Sequence, residues 1–495
     1  MEHFRLRNLS KILWAALLIS LPVTSFRFIP FLGAGTFVRP LAIYPLVLLL
    51  PVLLLRVYKK DLRQPFPSEF MILLLLGISA VGSFFLGAFH PPIALGGVDY
   101  FDRALRALVT LGLGAAFYVA AAWSNQDVED GHFTVRWLMV GLLATIVWSG
   151  VQFYGLNHNW RPTLTKLQAL FSARGLVKNK RVSGFAYEPS WLAGQIVALY
   201  MPWLFAALIV KTKHLSDRIY NWLAKNVPSI ASIDLVNLAL FACSLIVILF
   251  TYSRSGLVMT VITMLITYFF AGKAHRAAVW AWFMAGFIRR PGFKVVLPRI
   301  LSIILIVAVL IGAASFLMDK GYIAAFANTS SESVSDYITA IYLGPRIAYL
   351  QASLAGFTKQ PFFGVGPGAS GFYIYQNIPI WALAGNPEVA RQLSPSTNIF
   401  PNPKNLPVKL LAENGLIGFG LYLVFLLSMV RISAKLLQGD DAQRWIGCVG
   451  IFSITAIFML GFSQDSFAMP ELWIIPGILT GIYNFKNISF QRQAP

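Results

Sequence analysis

About twelve apolar runs, each close to twenty residues long and nearly free of charge, divide this chain from end to end. A helix rises ~1.5 Å per residue, so a run of about twenty crosses the ~30 Å hydrocarbon core of a bilayer. Lipid offers backbone amides no partners, so such runs must be helices that satisfy their own hydrogen bonds. They fall at roughly 11–29, 39–56, 69–89, 104–123, 135–156, 187–210, 234–251, 255–272, 299–318, 408–431, 444–463 and 470–485. The expectation is an all-α integral membrane protein, one polytopic domain over 1–495, with no internal repeat and no soluble domain.

Composition agrees: 57% of residues are hydrophobic and 12% are charged, too few charges to cover a soluble surface of this size. A net charge of +20 would suggest nucleic acid in a soluble chain. Here the basic residues collect in connectors: RVYKKDLR (56–63), KTKHLSDRIYNWLAK (211–225), 273–299, RISAKLLQGDDAQR (431–444) and the tail NFKNISFQRQAP. Cytoplasmic loops carry such an excess. Both termini are therefore expected inside, and nucleic acid is not an expected partner. The segments around Trp222 and Trp282 read either as amphipathic helices on the inner surface or as plain basic tethers. The N-terminal MEHFRLRNLSK has no small-residue cleavage site after it, and Arg27 and Pro30 follow, so a retained first helix is expected. Cys243 and Cys448 lie in apolar runs, and the six histidines are scattered. No metal and no cofactor are expected.

One loop opposes the charge rule. The connector 157–186, NHNWRPTLTKLQALFSARGLVKNKRVSGFA, should face outward, yet it carries Arg161, Lys166, Arg174, Lys178, Lys180 and Arg181 with no Asp or Glu. A different topology, or contact with lipid headgroups, would account for it. The functional reading is a docking site for a phosphate or diphosphate, which Arg grips bidentately and Lys as a point charge.

The longest outward segment is 319–407, between the ninth and tenth runs. It carries GPRIAYLQASLAGFTKQPFFGVGPG and ends in NPKNLP, leading into VKLLAENGLIG. Segments of this length without structure of their own are usually functional or disordered. Tyr337, Ile341, Tyr342, Ile347, Tyr349, Leu350 and Leu354 recur at helical spacing, so a folded, partly helical loop is expected, closing as a lid over an active site. GVGPG (364–368) lacks a following GK[ST] and reads as a tight turn rather than a P-loop.

The remaining charges gather at the predicted outer pole: Asp99, Asp102, Arg103 and Arg106 lead into the fourth run, Glu188 opens the sixth, Arg254 sits in TYSRSG, Glu413 opens the tenth, and Asp465 and Glu471 flank the last outward turn. Coupled transporters need charged relays near the midplane. Charge at the interface instead suits an enzyme acting on a lipid-linked substrate. Each residue also has a plainer role: Arg254 can snorkel, Glu188 and Glu413 can serve as first-turn acids on a helix dipole, and Arg346 can pair with Asp336.

Taken together, EPSWLAG after a basic loop, an SRSG turn, Arg346 followed by QPFFGVGPG, and LLAENGLIG opening a helix resemble the O-antigen ligase and polymerase superfamily. These are bacterial inner-membrane glycosyltransferases of a GT-C-like class. The resemblance runs from about Arg181 to Leu421. It implies inverting, metal-independent transfer at the periplasmic face, with a glycan on undecaprenyl diphosphate as donor. Arg181, Arg254 and Arg346 match the family arginines that grip the diphosphate. A chain-length regulator is an optional further partner, and the bilayer an obligatory one. Ligases of this family carry a His-Asn pair where this chain has Lys404 and Asn405, and the large loop holds no histidine. Glu188 is then the expected base for the acceptor hydroxyl, and a polymerase is expected over a ligase that transfers glycan to lipid A core or protein. A transporter of a lipid-linked sugar or small anion is the reading from another class. The expected site is thus Glu188, Arg254 and Arg346 as catalytic residues. Arg161, Arg174, Lys178, Lys180, Arg181, Tyr187, Lys404, Asn405 and Glu413 bind the diphosphate and glycan. Trp160, Tyr187, Trp191, Tyr373, Tyr375 and Trp381 are candidates for stacking on sugars or for anchoring at the interface.

Overall fold

In the computed structural model, residues 2–29, 37–62, 67–176, 180–210, 235–284, 343–394, 397 and 399–491 are described, with scattered positions between 296 and 315. Among them the chain is all-helical, with only isolated bridges such as Phe26 to Ser172. The helices are α1 (Glu2–Ser20), α2 (Ile43–Tyr58), α3 (Phe70–Phe89), α4 (Tyr100–Ser124), α5 (Val128–Asn157), α6 (Arg161–Phe171), α7 (Pro189–Val210), α8 (Leu235–Phe250), α9 (Arg254–Ala271), α10 (Lys273–Met284), α11 (Gly344–Lys359), α12 (Ser370–Asn377), α13 (Ile380–Gly385), α14 (Pro387–Gln392), α15 (Leu406–Leu436), α16 (Asp441–Gly461) and α17 (Ile474–Gln491). Seven of these described helices are long and apolar enough to cross a bilayer. Each predicted run overlies a helix except 299–318, which lies largely outside the described residues, as do Lys178, Trp222, Asp336 and the first part of the large loop.

The first helix spans Glu2–Ser20 rather than 11–29. Pro22 follows it, and the chain from Val23 to Phe26 instead pairs with residues 39–41: Leu41 N donates to Val23 O at 2.9 Å and Phe26 N to Arg39 O at 2.7 Å. The last run also begins differently, with a 3₁₀ turn at Pro470–Leu472 before α17.

Helices α7 and α16 form the centre. Each is 78% buried over its apolar window, against 28% for α3 and α9, whose outer faces carry Met71, Ile78, Phe85, Val261 and Leu265. A helix apolar on all faces belongs inside a bundle or against lipid, and this one sequence pattern serves both positions. The α7 helix widens into a π turn at Ile196–Tyr200. Ser453 of α16 donates to the Ala198 carbonyl there, at 2.9 Å.

The long helix α15 is broken at Gly415, which takes φ 65° and ψ −165°. A break in an apolar helix of membrane-spanning length is tolerated only if other protein groups satisfy the freed backbone. The turn QPFFGVG does so. Val365 N donates to Ala412 O at 2.9 Å, Gly366 N to Glu413 O at 3.1 Å, and Leu416 N to Pro361 O at 2.8 Å. Ser83 of α3 adds a bond to Glu413 O at 2.6 Å. The two motifs singled out in the sequence, QPFFGVGPG and LLAENGLIG, are therefore one interlocked unit.

Beyond this unit the described part of the large loop folds on a core of its own: Ala348, Tyr349, Ala352, Ile374, Ala382, Val389 and Leu393. Asn386 caps α14 through its side chain, accepting from Glu388 N and Val389 N.

Candidate functional site

One end of the bundle gathers the ends of α4, α7, α9 and α15, the basic loop, and the large loop. Within the basic loop the segment Arg161–Phe171 is itself helical, with Arg161 at its first position and half-buried. Its end is tied down where Ala173 N donates to Ser25 O at 2.9 Å. That anchor sets Arg174 beside Glu188: Nη1 lies 2.8 Å from Oε2. The other carboxylate oxygen accepts from Ser190 Oγ at 2.6 Å. Glu188 is the N-cap residue of α7, but its side chain caps no backbone N–H. Its carboxylate is therefore held by side chains at a site one-third exposed to solvent.

The Arg174 guanidinium also lies over the Tyr187 ring, 5.0 Å from its centroid. Tyr187 packs on Phe37 at 5.3 Å and on Trp191 at 5.1 Å. Burial raises the Tyr187 phenol above its ordinary pKa, with Arg174 pulling the other way.

Arg181 donates from Nε to Thr251 O at 2.8 Å, and Val182 N donates to Phe250 O at 3.1 Å. These two bonds fasten the basic loop to the SRSG turn. Ser253 caps α9 by accepting from Gly256 N at 3.2 Å, which puts Arg254 at the first helical position. Gly256 sits so close to α7 that a Cβ there would lie 2.5 Å from Ala193 Cβ. Arg181, Arg254 and the EPSW segment thus share one region. Lys180 is exposed and reaches Asn157 Oδ1 at 3.3 Å.

On the far side, Lys404 bonds Glu388 and Gln392, each at 3.3 Å, and its N–H donates to Asp465 Oδ2 at 2.8 Å. Its ammonium lies over the Tyr349 ring, 5.2 Å from the centroid. Burial, and then the Glu388 carboxylate, raise the Tyr349 phenol above its ordinary pKa. Arg346 donates to Phe462 O, the last carbonyl region of α16, at 3.4 Å. Asn405 is the N-cap of α15, accepting from Val408 N at 3.1 Å. Asn405→Ala is expected to cost about 1 kcal/mol, read as a lower unfolding midpoint in detergent, with Asn405→Asp restoring it.

Glu413 does not open its helix as a first-turn acid. It lies just before the break at Gly415, is 3% exposed, and accepts from Ser370 Oγ at 2.6 Å. Its burial comes from Ser370 and the glycine turn, which no pattern within the LLAENGLIG segment records.

Between these groups lies a cleft of about 200 Å³, lined by Arg103 and Arg106 of α4, Trp191 of α7, Lys409 of α15, Phe37, Phe400, Asn402, Gln464 and Asp465. Arg103, Arg106 and Asp465 belong to the charges that mark this pole in the sequence, whereas no sequence pattern marks Lys409 or Asn402 as part of the site. Of the aromatic candidates, Trp191 lines the cleft. Trp160 is exposed and packs on Tyr154, Tyr375 is exposed beside Gln392 and Phe400, Trp381 packs within the large loop, and Tyr373 packs in the cluster that joins the loop to Tyr100 and Ala104 of α4.

A search of curated proteins finds no match. Residues 239–423 match the family model described as O-Antigen ligase. The matched region runs from α8 into α15 and carries Arg254, Arg346, the glycine turn and Glu413, so over these residues this helical chain is similar to the O-antigen ligase family.

Proposed function

We propose that the chain is a polysaccharide polymerase of the bacterial inner membrane. It transfers a glycan from undecaprenyl diphosphate to the non-reducing end of another lipid-linked repeat unit at the periplasmic face. The observation that carries this reading is the Glu188 carboxylate, oriented by Arg174 and Ser190 beside a cleft rich in aromatic and amide side chains. A carboxylate has about four lone-pair sites, so two bonds leave room to accept a proton from an attacking hydroxyl. Arg254 and Arg181 are the groups for the leaving diphosphate, whose charge grows as the glycosidic bond breaks. Arg346 joins them on the diphosphate, Lys404 takes the glycan side, and Arg161, Arg174, Lys178 and Lys180 steer the anionic carrier. The large loop acts as the lid that holds both glycans in line.

The ligase reading, with transfer to lipid A core or protein, is favoured by the description of the matched family. The two differ in acceptor. The test is transfer in liposomes with undecaprenyl-diphosphate repeat units, resolved on a gel. A ladder of longer lipid-linked glycans supports the polymerase. Transfer only after lipid A core is added supports the ligase. No transfer in either case favours the transporter of a lipid-linked sugar or small anion. Arg254→Ala is expected to slow transfer by about 10²–10³, and a variant at wild-type rate would remove Arg254 from the site.

A further inference from the structure

The cleft between α4 and α15 holds two buried polar atoms of opposite kind without partners: Arg103 Nε, a donor, and Asn402 Oδ1, an acceptor. Buried polar groups are nearly always paired, so two orphans on residues that line one cleft point to a ligand that supplies both functions once the side chains turn to meet it. Diphosphate supplies acceptors only and would leave Asn402 Oδ1 unmet. A sugar hydroxyl both donates and accepts.

The charges agree. Arg106 is already bidentate on Asp102, at 3.0 and 3.1 Å. Lys409 donates to Asp465 O at 3.0 Å. Asp465 faces the cleft, and Glu413 acts electrostatically on Arg103. Cations and carboxylates are thus balanced, which does not favour a multiply charged anion. The walls carry Phe37, Trp191 and Phe400, and the Arg103 guanidinium lies 4.0 Å from the Phe400 ring centroid. Aromatic faces beside planar amides and guanidinium groups suit a pyranose. The volume of about 200 Å³ holds roughly six or seven waters at ~30 Å³ each. That is space for one sugar ring, below the ~300 Å³ of drug-sized sites.

We propose that this cleft is a subsite for one uncharged hexose of the acceptor glycan, held through Arg103, Asn402, Asp465 and Trp191. The assignment to the acceptor rests on the glycosyl-transfer reading, because Trp191 of the cleft wall lies three residues from Glu188. The sugar recognition itself rests on the orphan pair, the charge balance and the aromatic walls, and not on that reading.

The test uses the full chain in nanodiscs and, as probe, the free oligosaccharide released by mild acid from the lipid-linked repeat unit that accumulates in cells deleted for this gene. Equilibrium dialysis of the labelled oligosaccharide is expected to show saturable binding. Arg103→Leu and, separately, Asn402→Ala are each expected to weaken it about tenfold. Both variants must elute as the wild type does, and Asn402→Ala keeps the test open if Arg103→Leu fails to fold. Unchanged binding in both folded variants overturns the proposal. So does displacement of the oligosaccharide by inorganic diphosphate, which would assign the cleft to the carrier headgroup. Absence of binding to the wild type also overturns it. The liposome assay is read separately. A ladder without variant-sensitive binding removes only this subsite, whereas variant-sensitive binding without any transfer removes the enzyme reading and leaves a sugar-binding cleft.

Discussion

Glu188→Gln is expected to lower the turnover of glycan transfer by about 10²–10⁴, the usual contribution of a positioned general base, while the protein stays folded. Glutamine keeps the shape and can still accept from Ser190 Oγ. It cannot take a proton from the acceptor, and it loses the charge that Arg174 meets at 2.8 Å. That ion pair is part-exposed, 39% and 33% for the two side chains, so its loss costs little stability. The effect should therefore appear in turnover and not in the unfolding midpoint. The readout is initial rate at saturating lipid-linked substrate, compared with elution and melting of the same preparation. Retention of a tenth or more of the wild-type rate would leave Glu188 as a positioning group at most. Arg174→Ala separates the roles further. It frees the carboxylate without removing it, so a smaller loss is expected than in Glu188→Gln.

Gly415→Ala is expected to be the most destabilising single methyl added to this end of the protein. At φ 65° and ψ −165°, Gly415 occupies a region of backbone space that is essentially reserved for glycine, costing about 1–3 kcal/mol for other residues. The added Cβ would also lie 2.3 Å from the backbone carbon and oxygen of Phe362. Backbone cannot swing aside as a flexible side chain would. The QPFFGVG turn would have to withdraw, and with it the partners of Ala412 O, Leu416 N and Ile417 N, while Ser83 would still meet Glu413 O. Each backbone group left unmet adds about 1–3 kcal/mol. A loss of about 4 kcal/mol or more is expected, seen as a large fall in the melting temperature in detergent or as failure to accumulate in the membrane. Gly364→Ala should behave similarly, because its Cβ would meet Glu413 C at 2.3 Å. Gly420→Ala, where nothing lies within 4 Å, should be harmless. A Gly415→Ala protein that melts with the wild type would show that α15 can straighten and that the interlock is optional.

The helices were legible because their signal is local. Asp99 caps α4 by accepting from Asp102 N at 2.7 Å, Asp440 caps α16 in the same way, and the apolar runs between such signals give the bundle. The basic loop and the EPSW segment were legible as charge out of its expected place. The meeting of Arg174 with Glu188 was not, because the bridging geometry depends on α6 and on the anchor of Ala173 at Ser25. Glu413 was misread for a related reason. Its burial comes from Ser370 and the glycine turn, which are about fifty residues away in the chain.

By itself, then, the sequence determined that this is an all-helical chain with membrane-length spans, and it singled out the segments that carry polar chemistry, since hydrophobic periodicity, caps and charge are properties of neighbouring residues. Only the tertiary structure decided which polar groups meet. It broke α15 at Gly415 against the QPFFGVG turn, set Arg174 on Glu188, and opened the Arg103–Asn402 cleft between α4 and α15. Those contacts join residues tens to hundreds of positions apart, and they are fixed by how helices pack on one another, which no local pattern records.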